Sequence, residues 1–214
     1  FAHFFEHMMF RGTEQYPADV YADILKNAGA DQNAYTTDDY TNYHITFTKD
    51  DLEKVIEVEA DRFQRLKYTE EQFRTEALAV KGEYLKNYSN PIRKMFERIS
   101  DLMYTKHTYK HTTMGFIEDI EAMPDQLEYS HTFFDRWYRP EHAAVIVAGE
   151  ACPPDLGDLH YDRLPNTALY NEYGPTEATV WCSVYRVPRI SEDGPVPIGK
   201  PIANSQIFIL DRRR

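Results

Sequence analysis

The sequence predicts an α+β fold, helices with an antiparallel hairpin, followed by a smaller segment of different composition. Three observations carry this. Apolar residues recur at helical spacing through residues 50–66 and 70–88. Residues 31–47 alternate β-branched or aromatic residues with polar ones around Asp38-Asp39, the pattern of a hairpin. After Gly149 the composition changes: eight of the 12 prolines fall in the last 64 residues. Net charge drops from −10 over residues 1–150 to −1 over the rest, so a domain boundary is expected near 149/150.

Taken in order, residues 1–10 read as a helix that Gly12 stops. Tyr16-Pro17-Ala18-Asp19 opens a second helix, with Val20, Ile24, Leu25 and Ala28 on one side and Gly29 at its end. The hairpin follows. The next helix carries Leu52, Val55, Ile56, Val58, Ala60, Phe63 and Leu66. Thr69 is placed to cap the helix 70–88, and Pro91 to start another that runs to about Met103. His107 to His111 is a polar loop, more often solvated than part of a site. Short and longer helices at 117–123 and 127–137 end before Pro140. Ala143 to Gly149 is an apolar run of strand length.

The chain has 214 residues, enough for one large or two small domains. Its net charge of −11 argues against a general nucleic-acid binder. No run of 18 apolar residues suggests a transmembrane segment. Cys152 and Cys182 make no disulfide framework and have no metal-type partner nearby in sequence. The chain opens at Phe1 without Met and its most informative motif begins at residue 3, so a fragment lacking its N-terminus is expected.

That motif is His3-Phe4-Phe5-Glu6-His7. Histidines four apart share one helix face about a turn apart. Two neutral imidazoles and a carboxylate from elsewhere suit Zn²⁺, and a glutamate that is not a ligand can deprotonate water. The same spacing also occurs in solvated turns and in core pairs. Glu76 and Glu83 lie seven apart, on one face of their helix. Such pairs are usually solvated, but a histidine pair of this kind needs an acidic partner. His44 reads as a strand-face histidine.

Together these residues resemble the M16 family of zinc metallopeptidases (pitrilysin, insulysin and mitochondrial processing peptidase), over about residues 1–149. His3 to Thr13 is similar to the family's H-x-x-E-H-M-x-F-x-G-T, Asn33-Ala34-Tyr35-Thr36 to its N-A-x-T strand, and Glu76-x₆-Glu83 to its paired glutamates. Trp137 to Gly149 is similar to the helix-to-strand passage near the end of a family module. The resemblance implies one Zn²⁺ on His3, His7 and Glu83, with Glu6 as general base toward the zinc-bound water and Glu76 in electrostatic support. It implies a peptide substrate that adds as a strand beside Asn33 and Ala34. It further implies a second M16-like half or subunit that closes a chamber, and a strand ahead of the first helix. Neither stands in this sequence, so impaired peptidase activity is expected.

Leu169 to Thr179, with its Asn171-Glu172-Tyr173-Gly174-Pro175-Thr176-Glu177, resembles the N-x-Y-G-P-T-E motif of adenylation domains in nonribosomal peptide synthetases. Pro197 to Asn204 resembles their next motif, P-I-G-x-P-I-x-N. This likeness implies vestigial nucleotide contacts at Tyr173, Thr176 and Glu177. The phosphate loop, ribose-binding aspartate and lysine domain have no counterpart, which implies that ATP and Mg²⁺ are not bound productively. Two partial modules meeting within Ile146 to Glu150 suggest a chimera, and the two resemblances imply its fold: a peptidase module 1–149 of helices packed on a largely antiparallel sheet, then a partial α/β adenylation fragment 150–214. The alternatives are an ATP-dependent amino-acid-adenylating fragment and a non-catalytic peptide-binding remnant. The two families imply a bacterial source, and a periplasmic or cytoplasmic setting.

Overall fold

A computed structural model describes residues 1–148, 152–174, 182–189 and 195–203. The chain divides into two compact units, Phe1–Trp137 and Tyr138–Arg214, a division upstream of the change in composition.

The first unit is mostly helical. It contains α1 (Ala2–Met8), α2 (Ala18–Asn27), the strands β1 (Asp31–Thr36) and β2 (Thr41–Thr46), and helices α3 (Leu52–Arg65), α4 (Glu70–Tyr88), α5 (Pro91–Met103), α6 (Ile117–Ala122) and α7 (Leu127–Trp137). The strands form one antiparallel hairpin, with Asn33 opposite His44 and Ala34 opposite Tyr43. The largely antiparallel sheet expected here is, among the described residues of this unit, the two-stranded hairpin.

Local chemistry explains the element ends. Thr69 and Gln72 form a reciprocal capping box on α4, and Asn90 caps α5 with Pro91 in its first turn. Gly12 follows a 3₁₀ turn at Met9–Arg11 with φ +78°. A Cβ there would sit 2.4 Å from the Tyr16 carbonyl oxygen, so only glycine lets the chain fold back against residues 16–18.

Although α1 has only seven residues, most of its surface is buried. Phe4 meets Phe73 of α4 edge-on at 5.1 Å, and Phe5 stacks on Phe133 of α7 at 5.6 Å. A second cluster joins Tyr16, Tyr21, Leu25, Val55 and Val58. Beside it Arg62 is buried, paired with Glu59 and surrounded by the rings of Phe10, Tyr21, Tyr43 and Phe63. One face departs from the usual rule for helices. On α5, Ile92, Met95, Phe96, Ile99, Leu102 and Met103 form an apolar stripe that stays exposed.

In the second unit β3 (Ala144–Ala148), α8 (Leu156–Arg163), β4 (Ala168–Tyr173), β5 (Ser183–Arg186) and β6 (Lys200–Pro201) build a mixed sheet in that strand order. β3 and β4 are parallel, with α8 between them in sequence; the other pairs are antiparallel. The strand likened to the end of the peptidase module therefore pairs inside the second unit.

His160 of α8 is fully buried, and its Nε2 donates to the Thr167 carbonyl at 2.8 Å. Among the described residues its Nδ1 has no hydrogen-bond partner, and burial pushes the imidazole below its ordinary value of 6.5. Protonation would place a charge on that unpartnered nitrogen. The stability His160 contributes is thus present above pH 6.5 and lost as the pH falls through the lower folded value. Acidification from pH 7 to 5 should lower the second unit's unfolding midpoint, and His160→Gln should flatten that slope. Equal slopes in parent and variant would remove this explanation. Among the described residues no helix is long and apolar enough to cross a membrane.

Candidate metal centre

α1 and α4 face each other, and their packing phenylalanines bring three polar side chains together. His3 Nε2 and His7 Nε2 each lie 3.5 Å from Glu83 Oε2. The three donor atoms fall within 4.8 Å of one another, and among the described residues they form the group able to hold a metal ion. Zn²⁺ bonds of 2.0–2.2 Å place tetrahedral nitrogen and oxygen donors about 3.3–3.6 Å apart, which is the spacing of each histidine from Glu83, and two imidazoles with a carboxylate are donor types that this ion takes. Burial pushes His3 below the usual histidine range, against the opposing pull of Glu83. A neutral imidazole is the form a metal ligand requires. Glu83 is half-exposed, and its other oxygen accepts a long hydrogen bond from Asn87 at 3.5 Å.

Around this trio lies a ring of supporting contacts. The buried Glu76 accepts from His7 Nδ1 at 3.2 Å and from the Arg11 guanidinium. Glu6 points to the hairpin, where its Oε2 accepts from Thr36 Oγ1 at 2.6 Å. A cleft of about 380 Å³ opens here, lined by Glu6, His7, Phe10, Arg11, Asn33, Ala34 and Glu76. Among the described residues no strand covers the outer edge of β1. The Ala34 N–H bonds instead to Asn33 Oδ1 at 2.9 Å.

The M16 family model (insulinase, peptidase family M16) matches residues 1–116. The chain belongs to this peptidase family. A zinc protease of Helicobacter pylori, PqqE, is 30% identical over 169 residues, covering 77% of this chain and 38% of its own length. A crystal structure of a protease from Helicobacter pylori superposes with a TM-score of 0.71 at 29% identity, over 76% of this chain and 39% of the other. The chain thus spans well under half of these M16 relatives. A linear gramicidin synthase of Brevibacillus parabrevis is 44% identical over 68 residues, 32% of this chain but 1% of that protein.

The structure brings His3, His7, Glu83, Glu6, Glu76, Asn33 and Ala34 to one place. His44 is not one of the three metal-type donors; it lies across the hairpin from Asn33, and its Nδ1 is 2.9 Å from Asn42 Oδ1. The polar loop reaches the hairpin tip instead, where Tyr109 donates to Asp39 at 2.7 Å. In the second unit Tyr173 ends β4 with its side chain exposed; Thr176 and Glu177 lie outside the described residues. Sequence reasoning does not single out Arg11 or Thr36. Both stand inside the H-x-x-E-H-M-x-F-x-G-T and N-A-x-T stretches, and that position is their available signal.

Proposed function

We propose that this chain is the metal-bearing portion of a zinc metalloendopeptidase. The carrying observation is the His3–His7–Glu83 trio, with Glu6 beside it at the head of a peptide-sized cleft. Zn²⁺ held by that trio would supply Lewis acidity, polarising a carbonyl oxygen and acidifying a nearby water. The protein's own groups do the rest. Thr36 fixes the Glu6 carboxylate, which takes a proton from the attacking water and returns it to the leaving amine. The uncovered edge of β1 receives the substrate backbone as an added strand, with the Ala34 N–H released from Asn33 to bond it. Asn33 then serves the substrate's polar groups, and Ala34 leaves room for its side chain.

The short span relative to M16 relatives supports a second half or subunit as partner. For the second unit, the gramicidin synthase likeness supports descent from part of an adenylation domain, with Tyr173, Thr176 and Glu177 as vestiges of its nucleotide contacts and a seam near 149/150. A contiguous genomic read across residues 140–160 tests how the two parts came together: support for the join removes misassembly and leaves recombination, and sequence that does not join there makes the seam an artefact of assembly.

The metal-site reading is tested by zinc content. The purified chain should carry one zinc, and Glu83→Gln should weaken binding by more than the roughly 10–100-fold typical of losing an outer-shell partner. A parent chain without zinc, or a variant that binds as the parent does, would overturn the assignment.

A further inference from the structure

We infer that Arg11 is a positioning residue for the metal centre, acting through Glu76 on His7. The inference rests on the metal-site reading above. Arg11 ends the 3₁₀ turn directly after α1, four residues beyond His7. Both residues reach the same carboxylate on α4. The Arg11 guanidinium holds Glu76 Oε1, and His7 Nδ1 lies 3.2 Å from Glu76 Oε2.

The consequence follows from imidazole chemistry. A neutral ring carries one proton, and a carboxylate at Nδ1 draws that proton there. The lone pair of Nε2, the atom facing Glu83, is then free for a cation. For this to work, Glu76 must keep its Oε2 on His7. Its side chain is only 8% exposed, so water does little to hold it. With Arg11 in place both oxygens are engaged. Without Arg11, one oxygen of a buried carboxylate loses its donor, and the group gains by swinging toward solvent or toward the cation. Either movement releases His7.

The two histidines are unequal in this respect. His3 Nδ1 is buried and, among the described residues, has no hydrogen-bond partner. Orientation through an outer carboxylate therefore reaches the centre at His7, and Arg11 is the residue that sets it. An ordinary exposed ion pair would contribute little; here the acid is buried and its second oxygen is on a metal-site histidine.

The test is zinc affinity by chelator competition on the full chain, using Zn²⁺ alone, for the parent, Arg11→Met, Arg11→Lys, Glu76→Gln and the Arg11→Met/Glu76→Gln pair. Arg11→Met should weaken zinc by about 10–100-fold, and Arg11→Lys should recover much of the loss. The pair should be no weaker than Glu76→Gln by itself, since Arg11 acts only through that residue. The visible absorption of the Co²⁺-loaded chain should shift in Arg11→Met and return toward the parent's in Arg11→Lys. Parental affinity in Arg11→Met, or additive losses in the pair, would overturn the role of Arg11 while leaving the site intact. A parent that takes up no zinc would overturn the site itself. Should Arg11→Met fail to fold, Arg11→Gln carries the same comparison.

Discussion

On the metallopeptidase reading proposed above, Glu6→Gln should keep its zinc and lose peptide hydrolysis. The substitution preserves size and can still accept from Thr36 Oγ1, so α1 and the hairpin need not move. What it removes is a group able to take a proton. General-base loss costs about 10²–10⁴-fold. The measurement is kcat/KM on a quenched, unstructured peptide, with zinc content determined on the same samples. Cleavage at the parental rate would show that Glu6 does not move the proton. Zinc loss in this variant would move Glu6 from the role of base to that of ligand, and the donor set would need redrawing.

Phe5→Ala should produce the largest change in stability. The ring is fully buried and lies among Phe4, Tyr68, Phe133 and Phe134, at centroid distances of 5.3–6.3 Å. Removing a buried phenylalanine costs about 3–5 kcal/mol. Set against a usual total of roughly 5–15 kcal/mol, that is a large share. The denaturant midpoint should fall accordingly, with Leu85→Ala, at a site 53% exposed, as the nearly silent comparison. A fall below about 1 kcal/mol would mean that α1 is held by something other than its aromatic neighbours. Because His3 and His7 flank Phe5 on the same short helix, zinc affinity should drop in this variant too.

Much of this is legible in the sequence where the cause is local. Helix α4 runs from Glu70 to Tyr88 because Thr69 and Gln72 cap one end and Asn90-Pro91 begins the next helix. The histidine pair is legible for the same reason, since four-residue spacing fixes a shared face. The Arg11–Glu76 contact is not: it spans 65 residues, and no periodicity relates its ends. Nor can an apolar pattern name the partner of a strand. Ala144–Ala148 reads as a strand in any context, and only the folded chain pairs it with β4. Helix α5, read in the sequence from its Pro91 start, shows the converse case: its apolar stripe has the spacing of a face made for burial, yet that face stays exposed.

The pairing of β3 bears on how this protein can be taken apart. Composition suggests dividing it at 149/150. A cut there would strip Ala144–Ala148 of its ladder with Ala168–Glu172. It would leave five apolar residues as a bare, uncharged edge, the kind of edge that recruits neighbouring chains and clumps. A division at Trp137/Tyr138 keeps the ladder whole. Anyone dissecting the chain should therefore cut where the backbone bonding is thin, ahead of the point where the prolines begin to crowd.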